Sequence, residues 1–188
     1  MESTRPLVRP NMHEYFMRIA MTVRLRADCT GSRVGSLIVL DRRIVSTGYN
    51  GTPEGMPNCS EGGCERCANR HLYPAGVGYD LCICVHAEQN ALLAAARFGI
   101  SVEGGTLYTT MRPCFGCTKE ALQAKIATVY YLHDWVYPDP AKHAQYERLQ
   151  SRFPGGVHHL RIPDPDEEWA VSSRRRAMAG PSDEIGHS

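Results

Sequence analysis

Two short motifs far apart in this chain have to meet, and that requirement limits the folds open to it. Cys84-Val-His86-Ala-Glu88 leads into an Ala- and Leu-rich stretch reaching Phe98, and Arg112-Pro113-Cys114-Phe-Gly-Cys117 opens a second helical stretch. His86 and Glu88 supply an imidazole and a carboxylate two residues apart. Cys114 and Cys117 carry the Cys-x-x-Cys spacing that lets two sulfurs face one point at a helix start. A helix N-terminus also favours anionic thiolates. Two helix starts must therefore converge on one site.

One nitrogen and two sulfurs suit a catalytic zinc, which takes three protein ligands and keeps a fourth position for water. Zinc lowers the pKa of water from ~15.7 toward ~7. Glu88, beside the ligands without being one, can carry the proton. It would take it from water, place it on N3 of a cytosine, and pass a proton to the departing ammonia after attack at C4. A lone His-x-Glu is ordinarily a surface pair, and a lone Cys-x-x-Cys serves redox or structural ends equally well. Together and in this order they form the pattern of the zinc-dependent nucleobase deaminases.

The rest of the chain gives these motifs a scaffold. Asn11 can cap a helix with Glu14 in the capping-box position, and Tyr15, Phe16, Ile19, Ala20 and Val23 then recur on one face up to about Ala27. Residues 34–40 and 43–49 read as strands joined by Asp41-Arg42, a hairpin-length connection. Strands follow over 106–110, 126–132 and 157–162, with helices over 85–98, from Pro113 to about 124, and over 139–153. The order α-β-β-α-β-α-β-α-β predicts a mixed five-stranded sheet with helices on both faces, a three-layer α/β/α arrangement. Residues 1–10 read as a loose arm, 11–165 as the domain, with 52–84 a Cys-rich insert, and 166–188 as a flexible tail that includes Arg174-Arg175-Arg176.

The net charge is +1, which gives no bulk electrostatic case for nucleic acid or an anionic membrane. No apolar run reaches the ~20 residues of a membrane helix, and Met1–Pro10 lacks the apolar core of a signal peptide. The expectation is a cytoplasmic protein, whose eight cysteines point to metal rather than to disulfides.

Arg26…Cys29…Val34-Gly35, Gly48-Tyr-Asn-Gly51-Thr-Pro53, the Cys-rich insert and His86-Ala-Glu-Gln-Asn-Ala together resemble the deoxycytidylate (dCMP) deaminases. The resemblance runs from about Ala20 to Ile162. It implies the cytidine-deaminase-like fold, conversion of dCMP to dUMP, and a homo-oligomer, with a hexamer favoured. It also implies activation by dCTP and inhibition by dTTP. Asn50 matches the family asparagine that contacts the sugar, and Gly35 and Ser36 lie on the strand expected to border the base. Arg26, Arg33 and Arg112 are candidates for the phosphate. Trp135 and Tyr137 could flank the base, and Thr30, Arg33 and Gly35 fall near the start of the family's effector site.

In phage relatives, cysteines matching Cys29 and Cys59 join two histidines on a structural zinc. Those histidine positions are not reproduced here, while Cys64, Cys67, Cys82, Cys84 and His71 are available. The expected second-metal set is Cys29, Cys59, Cys64 and Cys67, with Cys82 in reserve; Cys82 and Cys84 are also where such a metal could brace the catalytic motif. Competing readings are a tRNA adenosine deaminase, a CMP or riboflavin-pathway deaminase, and a nucleotide-binding, competence-associated protein without turnover.

Overall fold

The computed structural model describes residues 9–73, 78, 81–137 and 139–172. Helices α1 (Met12–Val23), α2 (Glu65–Ala68), α3 (Ala87–Arg97), α4 (Phe115–Gln123), α5 (Pro140–Gln150) and α6 (Glu167–Ala170) surround a sheet. Its strands are β1 (Gly35–Leu40), β2 (Arg43–Tyr49), β3 (Thr106–Met111), β4 (Thr128–His133) and β5 (Val157–His159), in the order β2-β1-β3-β4-β5. β1 runs antiparallel to both of its neighbours, while β3, β4 and β5 are mutually parallel. The expected mixed five-stranded sheet is therefore present.

The hairpin forms because Asp41 and Arg42 both take left-handed backbone, φ 49° and 63°, as a two-residue turn requires. Strand alternation then divides the core. Leu37, Val39 and Tyr108 face α1, whereas Ile38 and Leu107 face Ala91 of α3 and Ala121 of α4. Two glycines let helices lie directly on strands. A Cβ on Gly35 would stand 2.2 Å from the Ala20 carbonyl oxygen of α1, and one on Gly48 would stand 2.2 Å from that of Ala87 in α3.

The face of α1 is rotated from the expected one. Phe16, Met17, Ala20 and Met21 are buried while Tyr15 is 46% exposed, because two flexible methionines fill the space over the sheet. Asn11 does cap the helix, its Oδ1 accepting the Glu14 N–H at 2.9 Å. The Glu14 carboxylate turns instead to Arg18, at 2.7 Å, so the capping box is half formed.

The boundary expected at 166 also differs. Arg24 is fully buried and pairs in a bidentate way with Asp164, whose Oδ2 also lies 2.6 Å from His133 Nε2. Beyond it, Ala170 and Val171 are buried, the Ala170 carbonyl accepts the Arg33 N–H at 2.7 Å, and the Ser172 N–H donates to Ser32 Oγ. Residues 164–172 are thus part of the folded body. The Arg174-Arg175-Arg176 triplet lies outside the described residues.

Candidate active site

β1 is antiparallel to both β2 and β3, so β2 and β3 run in the same direction and end at the same edge of the sheet. α4 begins just after the end of β3. Past β2, an isolated bridge between Gly51 and Val85 brings the start of α3 to that edge. His86 caps α3 and Cys114 caps α4. The convergence demanded by the two motifs is a consequence of this topology. Pro113 sits before the cap of α4 rather than in its first turn, because Cys114 itself is the cap.

His86 Nδ1 lies 3.4 Å from Cys114 Sγ and 3.4 Å from Cys117 Sγ, and the two sulfurs are 3.6 Å apart. A tetrahedral zinc with bonds of ~2.3 Å to sulfur and ~2.0 Å to nitrogen requires edges of ~3.5–3.8 Å. The three donors therefore fit one face of such a tetrahedron. The Cys117 thiol and the His86 ring hold the Cys114 thiol down at about 4 despite its burial. Cys114 in turn lifts the His86 imidazole to about 9. The donor set thus supplies an anionic sulfur.

Glu88 points into the same site from the first turn of α3. It is 4% exposed, with Oε2 3.6 Å from Cys117 Sγ, and Thr109 Oγ1 donates to Oε1 at 3.4 Å. Burial pushes its carboxyl above the usual carboxylate range, against the opposing pull of His86. A carboxyl so raised can hold a proton as well as accept one. Gln89 fixes the helix start, its Oε1 accepting the His86 N–H at 2.9 Å and its Nε2 donating to Glu120.

The candidate substrate residues separate into two groups. Asn50, Gly35 and Ser36 lie at the site's edge of the sheet. Asn50 is a clamp: Oδ1 accepts the Val34 N–H at 2.7 Å and Nδ2 donates to the Ser32 carbonyl at 3.0 Å. Gly35 packs under α1 and offers no side chain. Ser36 is paired with Thr109 across the strands, so both side chains point toward α3, and its buried hydroxyl has no partner.

The arginines are placed differently from what a phosphate role requires. Arg112 is held by Gln150, Asp134 and Glu147 at 2.9, 3.2 and 2.7 Å, which commits its guanidinium to bracing α5. Arg33 donates to the Trp169 carbonyl at 2.8 Å and lies 4.4 Å over its ring, holding the C-terminal segment. Arg26 is exposed on the turn after α1. Tyr137 packs edge-on against Trp135, Tyr146 and Phe115, the last within the Cys-x-x-Cys motif, so this aromatic group borders the site. Sequence reading missed Thr109. Its signal is strand alternation, two residues after core-facing Leu107.

The second-metal set also needs correction. Cys29, Cys59 and Cys67 are grouped with Cys84, not with Cys64, and Cys64 joins Cys67, Cys82 and Cys84. Cys84 is buried and Cys82 half-buried in this group, while Ile83 between them is 39% exposed. His71, on an exposed turn, is in neither group.

The profile of the cytidine and deoxycytidylate deaminase zinc-binding region matches residues 10–133. The chain belongs to this deaminase family. Among its relatives, the deoxycytidylate deaminase of Saccharomyces cerevisiae is 41% identical over 129 residues, covering 67% of this chain and 39% of that protein. That of Mycobacterium phage D29 is 40% identical over 128 residues, covering 65% of this chain and 95% of that one. The chain therefore spans about two-fifths of the yeast relative's length and nearly all of the phage relative's. Among solved structures, dCMP deaminase from the cyanophage S-TIM5 in complex with dCMP and dUMP superimposes with a TM-score of 0.61 at 26% identity, covering 81% of this deaminase-family chain and 99% of that one.

Proposed function

We propose that this chain catalyses hydrolytic deamination of dCMP, taking up water and releasing dUMP and ammonia, with a zinc held by His86 Nδ1, Cys114 and Cys117. The observation that carries the reading is the triangle of three donors with the buried Glu88 carboxyl against it. When bound there, zinc supplies the Lewis acidity that makes water nucleophilic at neutral pH. Glu88 accepts the first proton that water loses and delivers it to N3 of the cytosine ring; once the oxygen has added to C4, it takes the remaining proton of that C4 hydroxyl and gives it to the amine, which departs as ammonia. Thr109 orients the Glu88 carboxyl. Burial raises the proton affinity of this group, in the direction that lets it take up a proton before giving it away. Asn50 holds the ends of β1 and β2 together and has one lone pair and one N–H left for the sugar, while the unpartnered Ser36 hydroxyl faces the base.

Similarity to the phage and yeast deoxycytidylate deaminases supports dCMP over CMP or an RNA substrate, and a net charge of +1 gives no electrostatic case for RNA. The same reading includes a metal in the cysteine-rich insert, a homo-oligomer with a hexamer favoured, dCTP and dTTP as effectors, and a cytoplasmic location. Leu93, Phe98 and Ile100, exposed along and just past the C-terminal half of α3, support association between copies. Among the described residues no helix is long and apolar enough to cross a membrane. Ammonia release measured on dCMP, CMP, dCTP and tRNA tests the substrate. The account expects dCMP to be turned over fastest. Faster release from tRNA or CMP would replace this reading, and no release from any of the four would favour a binding module.

A further inference from the structure

Six cysteines of the insert and its surroundings form one buried group separate from the catalytic triangle. The Sγ–Sγ separations are 3.2 Å for Cys59–Cys84, 3.8 Å for Cys67–Cys84, 3.9 Å for both Cys64–Cys82 and Cys67–Cys82, and 4.0 Å for Cys29–Cys67. These thiols resolve into two sets of four, each with all its sulfurs within 4.8 Å of one another: Cys29, Cys59, Cys67 and Cys84, and Cys64, Cys67, Cys82 and Cys84. The sets share Cys67 and Cys84. A tetrahedral zinc bound by four sulfurs at ~2.3 Å has S–S edges of ~3.8 Å, so each set has the size of one coordination shell.

We infer that this cluster holds two zinc-class ions, with Cys67 and Cys84 bridging both, Cys29 and Cys59 terminal on one, and Cys64 and Cys82 terminal on the other. The inference extends the proposed single metal of the insert and rests on that reading only for the identity of the ion. One ion alone would leave two cysteines buried or half-buried against its ligands without a role. Two tetrahedra sharing the Cys67–Cys84 edge use all six sulfurs and satisfy both ions. Six thiolates and two dications give a net charge of −2, the same as one dication with four thiolates, so the second ion adds no charge to the interior. The Gly31 N–H donates to Cys29 Sγ at 3.3 Å, as a thiolate sulfur favours. The cluster joins the segment before β1, the insert and the segment that leads into His86, and Cys84 lies two residues before that ligand. Its physical role is to fix the approach to α3.

Metal content of the full chain, purified under reducing conditions, equilibrated with zinc and desalted, tests this. The expected stoichiometry is three zinc ions per chain. His86→Ala should lower it to two. The double substitution Cys64→Ser with Cys82→Ser should also lower it to two, because Cys29, Cys59, Cys67 and Cys84 still form a complete shell. Two ions in the wild type, falling to one in His86→Ala and unchanged in the double variant, would mean a single structural ion and would overturn the inference. Iron with inorganic sulfide in the cluster would overturn it too. Should the double variant fail to fold, cadmium-113 NMR of the wild-type chain decides. Two thiolate-shell resonances split by mutual coupling through shared sulfurs are expected, and one unsplit resonance would contradict the bridge. A chain that binds three ions yet releases no ammonia from dCMP would sink the deaminase reading and leave the cluster standing.

Discussion

Glu88 and Asp164 are both buried carboxyls, and their surroundings drive them in opposite directions. Glu88 has a weak hydroxyl donor and a thiol as partners, so burial dominates and raises it. Glu88→Gln preserves the shape of the site but removes the proton carrier. It should retain the His86–Cys114–Cys117 metal while ammonia release falls by about 10²–10⁴-fold, read by parallel metal analysis and kinetics. Near wild-type turnover with metal bound would remove Glu88 from the mechanism. At Asp164 burial also pushes upward, but the hydrogen bonds from Arg24 and His133 win and hold the carboxyl below its ordinary range. A carboxyl depressed in the folded state contributes stability above its unfolded pKa of ~3.9, and this is lost as pH falls toward the folded value. Asp164→Asn leaves the Arg24 charge buried and should cost about 3–5 kcal/mol in urea unfolding at pH 7. The gap from wild type should narrow as pH falls below ~4. An equal gap at pH 7 and pH 3 would show that the ion pair is not its source.

Elements carry the site through contacts that single residues do not reveal. α3 rests on β2 without an intervening side chain because position 48 is glycine, and that contact sets the height of His86 and Glu88 above the sheet edge. Gly48→Ala drives a methyl group into the Ala87 carbonyl and the Ala91 N–H, at 2.2 and 2.4 Å. It should destabilise the fold by about 1–3 kcal/mol and reduce turnover, as read by thermal unfolding and ammonia release. Gly51→Ala meets nothing within 4 Å and is the control; comparable losses in both variants would contradict the packing argument. Strands and long helices were legible in sequence because alternation and caps declare them locally. The short helical turns of the insert were not. They have no period of their own, and their order comes from thiols that meet only in the folded chain. The same is true of Arg24, which reads as a surface cation until Asp164, far along the chain, comes to meet it.

For the whole molecule, the meeting of His86, Cys114 and Cys117 was legible because each motif opens a helix and the mixed sheet brings both helix starts to one edge. The substrate residues were less legible. Arg112 and Arg33 carry the right charge for a phosphate, but carboxylates around one and a Trp-bearing segment against the other have engaged them. The C-terminal segment, polar in composition, docks because Asp164 finds buried or half-buried partners in Arg24, on the turn after α1, and His133 of β4. The molecule sets a triangle of three possible metal donors, a buried carboxyl beside it and a cluster of six cysteines on a deaminase-family scaffold. The most direct test is ammonia release from dCMP by the full chain before chelation, after chelation, and after zinc is restored. The account predicts turnover that is lost with the metal and recovered on its return. A zinc-loaded chain releasing no ammonia from dCMP would contradict it.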